Sequence, residues 1–499
     1  MMVITSACKG CGLCTRQCPL GAIRVADKRA IVSDACAECG ICARCCPFHA
    51  VERPEQQKDG AVTCSSCPVQ CKIPAGHTGA CKRYRNEEGI LVRTRPLVTE
   101  DTKAVIPEEK LRHPLITGVG AGTNYPCCRP APYIVTAKRN GVDVVTVVTE
   151  APLSYSGVTV KIDTNAYIGE AGEPVLRGGK RVGMVGVEEY GSKMLAIGGA
   201  ELLTGKDGFL TARTVVELAN GEPVSLAVGG RKLELQRGKA PVINGKAEAK
   251  MRVGCGSATI GLFAEAMKDV ADEVIVLDHH VIGLLTEHLA GAEVGLRWSG
   301  VLVNANKSSR GRYFGEMGDG IGGTTIRAAR DIIKGVDLSV GHPGMTIFVT
   351  DTTGSTRALF SVQEDGSVAE IEPNAAVTAL ADRIRFNCED ACVSVIYTGG
   401  AGGSARAGVG KKPLSLTRAI HNGRAVLTIG GAPAFVMPGG GINFLVDTGQ
   451  MADRAFTWVP TPATVAPIEY TMTLQDYADI GGHLEQVRSA DTVRKEQHA

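Results

Sequence analysis

Residues 7–24 read "ACKGCGLCTRQCPLGAIR", with cysteines at Cys8, Cys11, Cys14 and Cys18 and a proline directly after the last. The same spacing returns at residues 36–47, "CAECGICARCCP", through Cys36, Cys39, Cys42, Cys46 and Pro47. Both copies follow C-x2-C-x2-C-x3-C-P. Two-residue spacers let three thiolates converge on one inorganic cubane, and the fourth cysteine of such a run reaches the cluster of the other run. The spacing therefore predicts two [4Fe-4S] clusters. Cys8, Cys11, Cys14 and Cys46 would hold one; Cys36, Cys39, Cys42 and Cys18 would hold the other. Cys45 is left over, because adjacent Cys45 and Cys46 cannot both fit and the proline after Cys46 favours Cys46. Between the runs, "LGAIRVADKRAIVSDA" reads as turn, strand, turn, strand. A pair of zinc knuckles is the competing reading, and the doubled x3-C-P ending argues against it.

A third group follows in "TCSSCPVQCKIPAGHTGACKRYRN". Cys64, Cys67, Cys71 and Cys81 form C-x2-C-x3-C-x9-C, four thiolates within 18 residues broken by Pro and Gly turns. They can close around a third [4Fe-4S] cluster or a structural Zn ion, and spacing does not decide between the two. His77 is the one nearby alternative ligand. The x2-then-x3 order is the reverse of the radical SAM run, so that chemistry is set aside.

The bulk composition bounds what lies behind these modules. The chain of 499 residues is too long for one core, so roughly two to four domains are expected. A net charge of +2 gives no electrostatic case for nucleic acid or an anionic membrane. No apolar run approaches the ~18 residues of a membrane span. The opening "MMVITSACKG" lacks the basic and apolar regions of a signal peptide. Thirteen of the eighteen cysteines fall within the first 81 residues, which reads as metal ligation in a reducing cytoplasm rather than as a disulfide scaffold. A glycine count of 62 points to tight turns and close backbone approaches.

The expected fold class is α+β and multidomain. It comprises a ferredoxin-like two-cluster domain (1–56), a four-cysteine metal module (57–97), a β-rich first part of a Gly-rich body (115–250) and an α/β second part (251–499). A charged, proline-containing linker lies near 98–114. "APYIVTAKRNGVDVVTVVTE" reads as two strands joined at Asn140-Gly141. Residues 249–280, "AKMRVGCGSATIGLFAEAMKDVADEVIVLDHH", read as strand, Gly loop, helix, strand. There Gly254, Gly256 and Gly261 could cradle a cofactor phosphate at a helix N-terminus, and Asp278 could hold a ribose hydroxyl. The glycine spacing departs from the dinucleotide fingerprint, so a plain αβ unit with a tight turn competes. Gly-rich stretches at 310–325, 397–410 and 436–447 add to the case for a bound cofactor. Cys388 and Cys392 read as buried thiols. Ser156-Gly157-Val158-Thr159 is a partial match to the site at which flavin transferases attach FMN, with Thr159 as acceptor. Val158 stands where that motif has Ala, and Leu153 where it has Asp, so a plain strand threonine competes.

Residues 3–53 resemble a bacterial two-cluster ferredoxin. The body, through "VGCGSATIGLFAEAMKDVADEVIVLDHHVIGLLTEHLAG", "GRYFGEMGDGIGGTTI" and "PGGGINFLVD", resembles the 6-hydroxynicotinate reductases. That family similarly carries a ferredoxin front followed by a "CxxCPVxC…GACxRY" element. The resemblance implies ferredoxin-dependent reduction of an electron-poor heteroaromatic acid, with a flavin (FMN or FAD) beside the iron–sulfur clusters. The family supplies no catalytic residues to carry over. From the sequence itself His279 and His280 are candidate proton donors, with His342, Glu316 and Asp319 behind them. Arg310 and Arg312 are candidates for a substrate carboxylate. The expected partners are a ferredoxin or other low-potential donor and a small heteroaromatic substrate. A homo-oligomer is compatible with the sequence, which does not fix the number of copies. The alternative is a non-catalytic electron-transfer subunit of a larger redox complex.

Overall fold

The chain folds from its cysteine-rich front backwards onto a body dominated by one long antiparallel sheet. In this computed structural model the described residues are 1–54, 60–64, 69–94, 131, 133–149, 156–189, 192–252, 254–401, 406, 408–437, 441–459 and 463–498. The linker read at 98–114, Cys67 and Leu153 lie outside them.

The front unit has an internal two-fold pattern. Short helices Leu13–Gln17 and Ile41–Cys45 are each entered through a glycine in the left-handed region, Gly12 (φ 73°) and Gly40 (φ 80°). A side chain there would be strained, so each CxxC loop needs its glycine to turn into the helix. The hairpin Ile23–Ala26 to Arg29–Val32 turns through Asp27 and Lys28, both with positive φ, and Val3–Ile4 pairs with Val51–Glu52.

The second unit is two small hairpins, Val62–Thr63 with Lys72–Ile73 and Tyr84–Glu87 with Ile90–Arg93. It has no core separate from the first. Ala37, Cys39 and Ile41 share one apolar cluster with Cys64, Cys71, Ile73 and Tyr84, and Val465 of the body joins it. Lys72 N–H donates to Ala37 O at 3.0 Å, and Lys72 Nζ lies 3.6 Å from buried Glu38.

Among the described residues sixteen strands are hydrogen-bonded in series to form the main sheet. The hairpin Tyr133–Arg139 to Val142–Thr149 turns at Asn140-Gly141, with φ of 49° and 81°. Strand Gly157–Asp163 is central, and Val158, Val160 and Ile162 alternate into the core. Helix Gly208–Ala219 packs on that face through Val215, Val216 and Leu218.

A second sheet of seven strands lies within residues 273–371. Helices Gly256–Met267 and Ala375–Phe386 cover one face through Ile260, Phe263 and Met267, and Val377, Leu380 and Ile384. These are helical spacings, and each such side chain contributes about 1.5–3 kcal/mol on burial. The strands Val393–Ala401, Ala425–Ile429, Ala432–Val436, Ile442–Asp447 and Ile468–Thr473 then return to the first sheet. The expected division at 250/251 therefore does not divide the fold. The α/β unit of about 254–391 is inserted into the β body, and the last hundred residues complete that body's core.

Candidate functional site

The two predicted cluster sites differ in exposure. Cys8, Cys11, Cys14 and Cys46 line one hollow with Gly10, Gly12 and Phe48, and Cys11 is exposed. Gly10 is required there, because a Cβ would stand 2.5 Å from the carbonyl of Lys28. Cys36, Cys39 and Cys42 are buried. Burial first, then the neighbouring Cys18 and Cys36 thiols, push the Cys39 thiol up to about 11, so Cys18 stands with the second run.

Backbone N–H groups point at the fourth sulfur of each run. Ala22 N donates to Cys18 Sγ at 3.2 Å and Ala50 N to Cys46 Sγ at 3.4 Å. The two bonds have the same four-residue offset, which matches Cys46 to Cys18 across the pseudo-two-fold. Cys45 instead turns its thiol to Cys42 O at 3.6 Å. Such N–H···S bonds are one of the levers that tune cluster potential. Of the third group, Cys64 N–H donates to Cys71 O at 2.8 Å and both residues are buried, with Cys81 half-buried. Among the described residues no three His, Cys, Asp or Glu side chains close around a single ion. Thiolates around a cubane stand further apart, since four irons and four sulfides lie between them.

The body candidates are arranged differently from expectation. Strand Lys250–Met251 pairs with Glu389–Asp390 and is not part of the seven-stranded sheet, so no βαβ nucleotide crevice forms at the Gly loop. Gly256 opens the helix, but a Cβ there would meet Val276 O and Val281 O at 2.5 Å. Its glycine is required by helix-to-strand contact. Gly261 lies in the second helical turn and is exposed. Cys255 caps the helix, its Sγ accepting from Ala258 N at 3.5 Å. Asp278 is fully buried; its Oδ1 pairs with Arg252, and its Oδ2 accepts from His280 N and Val281 N, each at 3.1 Å. Gly256 and Asp278 thus do not fit a cofactor phosphate and ribose, and Gly254 and Gly261 are left without the rest of that site. Gly256→Ala is expected to cost about 1–3 kcal/mol through overpacking, seen as a lower denaturant midpoint, with any flavin remaining on the folded fraction.

His279 is also structural. Its ring is buried, and Nδ1 lies 3.3 Å from Gly322 O, where the loop 315–324 packs closely on Asp278 and His279. Burial, helped by the positive charges of Arg252 and Lys193, holds it down to about 4. It is held neutral near pH 7, and a neutral imidazole is too weak an acid to serve as the proton donor. His280 is half-buried beside it, with ring centroids 5.9 Å apart. Because the folded value lies below the unfolded 6.5, protonation favours unfolding. This contribution is present above about pH 6.5 and lost as pH falls towards 4, by up to about 3 kcal/mol. Urea midpoints across that window check it, and His279→Asn should flatten the trend.

Arg310 and Arg312 are exposed on the hairpin Asn306–Ser309 to Arg312–Phe314, and the charge of Arg312 acts on His288, not on the His279 pair. His342 and Glu316 are exposed loop residues, and Asp319 pairs with Arg231 at 3.4 Å. Thr159 is a half-buried mid-strand residue between Ala196 and Ile396, on the face opposite Val158 and Val160. The structure does not bring these candidates together. Parts of 397–410 and 436–447 lie outside the described residues.

Sequence reasoning passed over the junction of the three parts. Arg83 is buried, and its guanidinium donates to Ala455 O and, at 3.4 Å, to Val465 O. It ties the cysteine module to the hairpin Thr457–Val459 to Ala463–Val465. Asn220, capping helix Gly208–Ala219, donates to Phe456 O at 2.9 Å and accepts from Phe456 N at 3.1 Å. The basic run after Cys81 and one of only two tryptophans, Trp458, were the available signals.

No described helix is long and apolar enough to cross a membrane. Residues 1–24 match the 4Fe-4S binding domain family. No solved structure matches the chain. A protein of Eubacterium barkeri named 6-hydroxynicotinate reductase is 58% identical over 491 residues, covering 98% of each chain. With that identity running from the cluster-binding front to the end of the body, the chain is an oxidoreductase and belongs to the 6-hydroxynicotinate reductase family.

Proposed function

We propose that this chain reduces 6-hydroxynicotinate, or a close heteroaromatic acid, with low-potential electrons from a ferredoxin, acting on a ring C=C bond. The observation that carries the reading is the near-full-length identity to a protein of that name. The shared apolar core of both front modules with Val465 supports it, since the cysteine modules are packed directly against the body. The cluster sets are those read from spacing: Cys8, Cys11, Cys14 and Cys46, and Cys36, Cys39, Cys42 and Cys18. Cys64, Cys67, Cys71 and Cys81 hold a third cluster or Zn. Unprotected thiolates in this number suit a cytoplasmic setting.

Clusters deliver single electrons, whereas saturating a ring C=C bond takes two electrons and two protons. A flavin, when bound, supplies that pairing. The turn at Gly256 does not fit its phosphate; Thr159 is the candidate for covalent attachment, and the Gly-rich stretches at 310–325, 397–410 and 436–447 are the candidates for non-covalent binding.

The test is anaerobic purification followed by assay with reduced ferredoxin and 6-hydroxynicotinate. About eight iron and eight sulfide per chain are expected from two cubanes, about twelve if the third group binds a cluster, or eight with one zinc. Flavin that stays with acid-precipitated chain and is lost in Thr159→Ala supports the attachment. Turnover without any flavin would remove it from the proposal. The alternative, a non-catalytic electron carrier, predicts no ring reduction by the purified chain.

A further inference from the structure

A cleft of about 300 Å³ lies where both cysteine modules meet the body. We propose that this cleft binds the small heteroaromatic carboxylate which the chain reduces; the assignment rests on the function proposed above.

Placement is the first argument. Cys18, from the first module, and Cys81, from the second, both open onto the cleft. Helix Gly208–Ala219 and the segment Arg454–Trp458 close it from the body side. A molecule held here touches both cysteine loops and the body at once.

Charge is the second. Arg16, Lys82, Arg213 and Arg454 surround the cleft, and all four are exposed. Glu217 and exposed Glu222 also face it, but Glu217 is shared by Arg177 at 2.5 Å and Arg213 at 2.8 Å, so the acids are outnumbered. Among the described residues neither Arg16 nor Lys82 has a carboxylate partner. The surplus is cationic and suits a carboxylate.

Shape is the third. Trp458 is half-buried and stands edge-on to Phe209, with centroids 6.5 Å apart, so it offers a flat apolar wall held in place by packing. The Asn220–Phe456 pair and the Arg83 strut fix the floor. The volume is at the small end for ligand pockets and suits a single ring, not a protein surface.

Anaerobic calorimetry with 6-hydroxynicotinate tests this without turnover. The wild-type chain should bind the acid, and the neutral amide of the same ring should bind at least about tenfold more weakly. Lys82→Ala and Arg16→Ala should each weaken the acid about tenfold, and Trp458→Leu should do likewise, with iron content and fold unchanged. In assays the rise should fall on KM for the acid rather than on kcat. Wild-type affinity in all three variants of an enzyme that does reduce the acid would overturn the cleft and leave the function standing. A raised KM for reduced ferredoxin alone would overturn it in favour of donor docking. Loss of flavin instead of acid binding would overturn it too. Failure of the wild-type chain to bind or reduce the acid would sink the function itself.

Discussion

Changing Cys11 to serine is expected to cut ferredoxin-driven reduction by more than the ~10–100-fold that loss of an outer-shell partner costs at a metal site, because a thiolate of the cluster itself is removed. Cys11 is the exposed member of the set around the first hollow, so the change disturbs little packing and the fold should survive. Iron should fall by about four per chain, the content of one cubane. The buried set at Cys36, Cys39 and Cys42 should remain, visible as one surviving cluster spectrum. An artificial donor that bypasses the front should restore part of the activity. Cys45 complicates the site, since the Cys14 and Cys46 thiols lie near enough to act on it. Combining Cys11→Ser with Cys45→Ala removes that substitute ligand. Normal ferredoxin-driven turnover in the double variant would show that electrons enter elsewhere.

The front was legible because its chemistry is local. A cubane needs thiolates at short spacings, and the glycines at 12 and 40 needed for the turns stand beside the cysteines. The hairpin at Asn140-Gly141 was legible for the same reason: two adjacent residues carry the positive φ that the turn demands. The body was not. Strand Gly157–Asp163 pairs with Val393–Ala401 across more than two hundred residues, and no local pattern announces such a partner. The strand-rich run after 393 therefore read as a continuation of the α/β unit.

Gly256 shows the other limit. The sequence said correctly that some backbone must come close, but the close neighbour is the chain's own Val276 and Val281 carbonyls, not a phosphate. Asp278 was placed correctly at a strand end. Its partner, Arg252, sits in "KMRVG", where nothing marks an arginine as buried. The cleft residues Arg16, Lys82, Arg213 and Trp458 come from four separate stretches, and each reads as ordinary surface until the fold gathers them.

Arg252→Met is expected to lower stability by about 3–5 kcal/mol, the usual consequence of breaking one side of a buried ion pair. The Arg252 side chain is 1% exposed and that of Asp278 is 0%. Methionine keeps most of the volume, so the loss comes from charge: the Asp278 carboxylate stays buried with only two backbone donors. Adding Asp278→Asn should then recover stability, because an amide oxygen can still accept from His280 and Val281 without carrying charge. That non-additivity distinguishes an ion pair from simple packing, for which the second change would cost more. Arg252 also adds positive charge beside His279 and Lys193, whose values burial first and Arg252 second hold down to about 4 and about 7. Its removal should let both rise, so the acid-induced loss of stability below pH 6.5 should shrink in the Met variant. Equilibrium unfolding at pH 7 and pH 5 measures both effects. An unchanged acid trend would mean that Arg252 does not act on His279. A fully stable Arg252→Met chain would mean that Asp278 finds its charge balance elsewhere, which would reopen it as a ligand-binding carboxylate.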